Sequence, residues 1–221
     1  MIQASQSRET KQSFDSLRQF TRKSRRDVEV CELCSTELRS EHAHMIELMR
    51  RRLVCACDAC ALLFSHREGA KYKRVPRDVR SLANFQMSDA DWDGLLVPIN
   101  LAFFFRSSLD GRVSAFYPSP AGATESLLPL EAWESIVEAN PVLKTMESDT
   151  EALLVNRVGA ARGLCAAEYY IVPIDACYGL VGLIRLHWRG LSGGTEVWKE
   201  IGEFFTNLRK RATVVADNAH A

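Results

Sequence analysis

Residues 31–60 read CELCSTELRSEHAHMIELMRRRLVCACDAC: a C-x2-C pair, 22 intervening residues, and a second C-x2-C pair. A C-x2-C turn directs two thiolates at one point, and two such turns complete a tetrahedral four-sulfur site with metal–sulfur bonds of about 2.3 Å. Cys31, Cys34, Cys57 and Cys60 are therefore the expected ligands, and the site needs no further donor. Zinc is the expected ion, with iron or an iron–sulfur cluster the lesser alternative. So short a segment buries too little apolar surface to fold by itself, whereas zinc binding contributes about 10–16 kcal/mol in small modules of this kind. Between the pairs, HAHMIEL and RLVCAC read as extended runs around a Met-Arg-Arg corner, and ALLF after Asp58 reads as the start of a helix. The order knuckle, hairpin, knuckle at a helix start is that of a treble clef or zinc ribbon.

Three donors in this stretch are surplus. In an extended strand His42 and His44 share a face, and hairpin pairing brings His44 opposite Cys55 or Ala56. The three could form a second, more open metal site, since an open position separates catalytic from structural sites. In the plainer reading His44 donates to a cysteine sulfur while Cys55 packs as a small hydrophobe.

Outward from this block the chain is an ordinary globular sequence of 221 residues, 47% apolar and 25% charged. Five of its seven cysteines lie in the thirty-residue window, so the ligand-rich and core-rich parts are different pieces of chain. The expected division is a basic, partly helical segment over 1–27 (Phe14, Leu17 and Phe20 share a face), a metal module over 28–75, an α+β domain over 76–215, and a disordered tail over 216–221. Pro76 punctuates a basic connector, HREGAKYKRVPRDVR, between the second and third parts.

Net charge is zero, but residues 1–80 carry 17 Lys and Arg against 11 acids, and residues 81–221 carry the reverse. Such asymmetry can mark nucleic acid or an acidic partner, or simply two halves that attract. The basic half lacks a recognition-helix pattern and base-reading aromatics, which makes nucleic acid an unfavoured partner. No stretch approaches the roughly 18 apolar residues of a membrane span. Arg25-Arg26 is followed by acidic sequence without an apolar run, so no export signal is read, and clustered thiols at ligand spacing suit a reducing, cytoplasmic setting.

In the larger part, Val97, Ile99, Leu101, Phe103 and Phe105 alternate, and Asp110-Gly111 precedes RVSAFY, which predicts a β-hairpin. Ala102 and Phe104 make the other face apolar as well, so the first strand should be central in its sheet. LPLEAWESIVEANP predicts a helix with Leu130, Trp133, Ile136 and Val137 inward; EALLVNRV and EYYIVPI predict strands. Asp175 is the expected cap of a helix from Ala176 toward Trp188, stopped at Gly190, with a strand the alternative because Gly179 and Gly182 interrupt the run; Thr195 is the expected cap of a final helix carrying Val197, Ile201, Phe204, Phe205 and Leu208. The sum is α+β with a mainly antiparallel sheet.

The stretch FYPSPAGATESLLP, with Tyr117, Ser119, Thr124 and Glu125, is the best candidate for a recognition loop, although an ordered connector would look the same. RGLSGG could present N–H groups to an anion, but no Walker lysine follows. No catalytic triad, G-x-S-x-G or H-E-x-x-H occurs, and nothing ties Cys165 and Arg162 to His187, so the chain reads as a non-enzyme.

Taken together, CELC, EHAH, CACDAC, LAFFFRSS, FYPSPAGATESLLP, LLVNRV and VPIDACYGLVGLIRLHWRGLSGG resemble an uncharacterised family encoded beside high-affinity uptake [NiFe]-hydrogenases, over about Cys31 to Arg211. The resemblance implies a role in assembling or serving a metalloenzyme, with a hydrogenase subunit or maturation factor as partner. It carries no functional residues beyond the metal ligands. Electron transfer or metal delivery through the surplus Cys/His group is the alternative function, and a nucleic-acid-binding zinc protein the third.

Overall fold

The computed structural model describes residues 28–65, 69–126, 129–163 and 165–215. The helix expected around Phe14, Leu17 and Phe20 and the tail over 216–221 lie outside the described residues.

Strands β1 (Ala43–Glu47) and β2 (Arg52–Ala56) form an antiparallel hairpin, and β3 (Tyr72–Arg74) pairs along the free edge of β1. Helix α1 (Asp58–Ser65) follows directly from β2. The buried interior of this module is Cys31, Ala43, Met45, Val54, Ala56, Cys60 and Ala61, small side chains for the most part. Two of the seven are cysteines of the ligand set, so the apolar core and the sulfur cluster are one structure.

The rest builds a seven-stranded sheet in the order β10-β4-β9-β8-β5-β6-β7. Its strands are β4 (Arg80–Leu82), β5 (Leu101–Arg106), β6 (Val113–Ser119), β7 (Gly122–Ser126), β8 (Glu151–Asn156), β9 (Glu168–Pro173) and β10 (Thr213–Val215). Every pairing is antiparallel except β10 with β4. Helices α2 (Asp89–Gly94) and α3 (Leu130–Ala139) cover one face, and α4 (Ile174–His187) and α5 (Gly194–Arg211) the other.

β5 shows why the sheet is covered twice. Leu101, Phe103 and Phe105 join the core under α4 and α5, whereas Ala102 and Phe104 join the core containing Trp92 and Trp133. β8 divides likewise, Ala152 and Leu154 against Leu153 and Val155. A strand apolar on both faces must be sandwiched, as the sequence of β5 predicts. The hairpin itself starts at Leu101, four residues later than the alternation begins, and turns at Gly111, whose φ of 69° suits glycine.

The structure corrects several local expectations. Asp175 does not cap α4: the helix begins two residues earlier than expected, at Ile174 after Pro173, and Asp175 sits in its first turn facing the four-cysteine module. Thr195 does not cap α5, which starts from Gly193 in a left-handed conformation (φ 87°) with no side-chain cap. The connector around Pro76 contributes β3 and the first residue of β4, and Val75 and Val79 are both buried in the α4–α5 core. FYPSPAGATES is not a loop between strand and helix: it is the β6–β7 hairpin, Tyr117 opposite Thr124 and Ser119 opposite Gly122.

Candidate metal centre

The first knuckle is a turn closed by the Ser35 N–H donating to the Cys31 carbonyl at 2.7 Å and by the Cys31 N–H donating to Thr36 at 2.8 Å. Ser35 takes a left-handed backbone (φ 63°) to complete it. The second knuckle exists because β2 runs straight into α1: Cys57 precedes the helix, its carbonyl accepts from the Ala61 N–H at 2.9 Å, and Cys60 lies in the first turn.

These two turns bring the sulfurs of Cys31, Cys34, Cys57 and Cys60 within 4.8 Å of one another. Cys34 Sγ and Cys57 Sγ are 3.7 Å apart. A tetrahedron of sulfurs bonded at about 2.3 Å has edges of about 3.8 Å, so the pair stands at the separation a bound ion would set. Cys31 and Cys60 are buried while Cys34 is exposed and Cys57 half-buried, which places the centre at the edge of the small core.

The thiols are held in an uneven state. Burial raises Cys31, but N–H groups of Cys57, Leu33 and Cys34 outweigh it and bring the thiol below its usual range. The Thr36 hydroxyl and N–H, with help from the Cys31 and Cys60 sulfurs, lower Cys34 to about 6. Burial and the three neighbouring sulfurs push Cys60 up to about 12. Four sulfurs this close cannot all ionise without a cation among them, and a divalent ion removes that conflict.

The hairpin register sets His44 directly opposite Cys55. His42, His44 and Cys55 form a second group whose donor atoms also lie within 4.8 Å of one another. The His42 and His44 rings meet edge to face, centroids 4.9 Å apart. His44 does not donate to a cysteine sulfur: its Nδ1 is 2.6 Å from Asp175 Oδ2, and that carboxylate raises the imidazole above its ordinary range against the opposing effect of burial. Cys55 is half-buried, its thiol raised first by burial and then by Glu29 and Glu32, and its N–H donates to Glu32 Oε1 at 2.9 Å.

A model of a family of unknown function, DUF5947, matches residues 30–212. The chain belongs to that family. The match begins one residue before the first ligand and ends one residue after α5, so module and seven-stranded sheet fall in one family unit. No curated protein and no solved structure matches the chain.

The remaining sequence candidates do not converge on these centres. Ser119 Oγ bonds the Gly122 carbonyl at 2.9 Å and Thr124 Oγ1 at 3.0 Å, and Glu125 accepts from the Ser114 hydroxyl at 3.0 Å. Those polar groups thus stabilise the β6–β7 hairpin from within. His187 is engaged with Glu196 at 3.0 Å. A cleft of about 660 Å³ beside α3, with Arg112, Trp133 and Lys144 in its wall, holds none of the sequence candidates.

Sequence reading missed Asp175 as a site residue, and also Lys73, whose ammonium meets Asp149 at 2.5 Å and links β3 to the larger sheet. No local signal could reveal either, because each pair spans more than seventy residues.

Proposed function

We propose that this chain is a non-catalytic, zinc-stabilised accessory protein that assists the assembly or maturation of a [NiFe]-hydrogenase through protein–protein contacts. The observation that carries the first half is the four-sulfur cluster with its 3.7 Å edge, built from two knuckles that share their cysteines with the module's core. That geometry has every donor position filled, which suits a structural ion and leaves none for substrate. Zinc is the natural occupant of a tetrahedral thiolate set, ahead of iron.

The second half rests on the resemblance of the motifs from Cys31 to Arg211 to a family encoded beside uptake hydrogenases. A metal-stapled module joined to a doubly covered sheet is a suitable scaffold for binding a hydrogenase subunit or maturation factor. Unpaired cysteines at ligand spacing suit a reducing compartment, which supports a cytoplasmic location alongside its partner.

The test is anaerobic purification from a hydrogenase-producing cell, followed by elemental analysis and identification of co-purifying proteins. Zinc at one equivalent or more per chain together with hydrogenase subunits or maturation factors supports the reading. Iron with visible absorption, or a preparation enriched in nucleic acid and free of hydrogenase components, overturns it.

A further inference from the structure

The side chain of His42 is only 7% exposed, yet its Nε2 has no hydrogen-bond partner among the described residues. Buried ring nitrogens almost always find one. Its Nδ1 lies 3.0 Å from the Arg39 carbonyl, with Glu29 Oε2 farther off at 3.6 Å. A carbonyl only accepts, so Nδ1 carries the proton of the neutral ring and Nε2 carries a lone pair.

His44 repeats the arrangement. Its Nδ1 is engaged by Asp175 at 2.6 Å, so Nε2 is the nitrogen that carries the lone pair in the neutral ring, and a bound cation there would take the place of the second proton. A histidine whose far nitrogen is held by a carboxylate or a backbone carbonyl is the form in which imidazole ligates metals. The third donor is the Cys55 sulfur, set opposite His44 by the β1–β2 register. All three residues present a donor atom within 4.8 Å of the others, close to the ligand separations of about 3.3–3.7 Å around a small ion.

We infer that His42 Nε2, His44 Nε2 and Cys55 Sγ form a second metal site, separate from the four-cysteine centre, that takes a divalent ion of the zinc, cobalt and nickel class and keeps one coordination position open. Two imidazoles and one thiolate select borderline transition ions over magnesium or calcium. His42, His44 and Asp175 line an open cleft of about 440 Å³ whose wall also includes Arg77, Pro76 and Arg211, so a further ligand can reach the ion. Asp175 is a positioning residue: it fixes the His44 ring and belongs to the larger sheet's helix α4, so the site is complete only when the module is docked. The inference needs the folded module but not the hydrogenase partner.

The test uses the full chain, purified with its zinc, and Co2+ added as the probe. The expected result is one additional equivalent of Co2+ with ligand-field bands of a low-coordinate site and weak thiolate charge transfer, while zinc stays bound. His42→Gln and Cys55→Ser should abolish that equivalent and leave the zinc content and far-UV circular dichroism unchanged. Asp175→Asn should weaken Co2+ binding about 10- to 100-fold without removing it. Absence of the extra equivalent in the unmodified chain overturns the site, as does Co2+ binding that persists in His42→Gln and Cys55→Ser. Loss of zinc along with Co2+ in every variant also overturns it, since these residues would then serve the fold alone; that outcome leaves the hydrogenase reading untouched.

Discussion

His44 Nδ1 and Asp175 Oδ2 are 2.6 Å apart across 131 residues of chain, and through them the metal module is tied to the first turn of α4. Both side chains are partly exposed, so the tie is worth about 1 kcal/mol rather than the larger figures of buried charged bonds. Asp175→Ala should lower stability to denaturant by about that amount. The same variant should speed proteolysis around Val75 and Val79, where the module meets the sheet, and an unchanged digestion pattern would contradict the linkage.

Metal removal should act unevenly. The module's core is seven residues, whereas the sheet buries apolar side chains on both faces. A strong chelator, or Cys57→Ser, should therefore release the amides of β1 and β2 to rapid hydrogen exchange while those of β5 and β8 stay protected. Simultaneous loss of protection in all four strands would show that the two parts do not unfold separately.

Phe104 is fully buried, stacked on Trp133 at 5.4 Å and edge-on to Trp92 at 6.4 Å. Phe104→Ala should cost about 3–5 kcal/mol, read as a drop in the chemical denaturation midpoint. Thr124→Ala removes an edge-strand hydroxyl and should cost about 1 kcal/mol or less.

Tyr170 is 2% exposed, and burial, reinforced by the Glu168 carboxylate that accepts its hydroxyl at 3.0 Å, pushes the phenol up to about 12 from an ordinary 10.0. The folded chain then holds a proton that the unfolded chain has released, so stability present below pH 10 declines as pH rises toward 12. Phenolate absorbance should reveal one tyrosine that ionises only near that upper limit. Tyr170→Phe should remove the late phase and flatten the alkaline loss of stability.

The four-cysteine cluster was legible because a C-x2-C pair is a local device: its two sulfurs are placed within four residues. β5 was legible for a similar reason, since apolar residues at both parities leave no face for water. The family match over 30–212 agrees with the span over which the motifs were recognised, although it carries no genomic neighbourhood. β4 and β10 were not visible, being three-residue strands that exist only because they pair with each other and with β9. The hairpin in FYPSPAGATES was hidden by its two prolines, which usually interrupt a ladder; here Pro118 lies within β6 at a position that pairs with Ala123.

Sequence by itself therefore determined the four-cysteine cluster, the β1–β2 hairpin that brings His44 opposite Cys55 or Ala56, and a central strand apolar on both faces, because each follows from spacing or periodicity over a few residues. Tertiary structure alone decided that Asp175 faces His44 instead of capping α4, that His42 is buried with one nitrogen unpaired, and that the Pro76 segment is core. Those outcomes depend on which distant surfaces meet. Burial and hydrogen-bond satisfaction are properties of that meeting, and no local pattern encodes them.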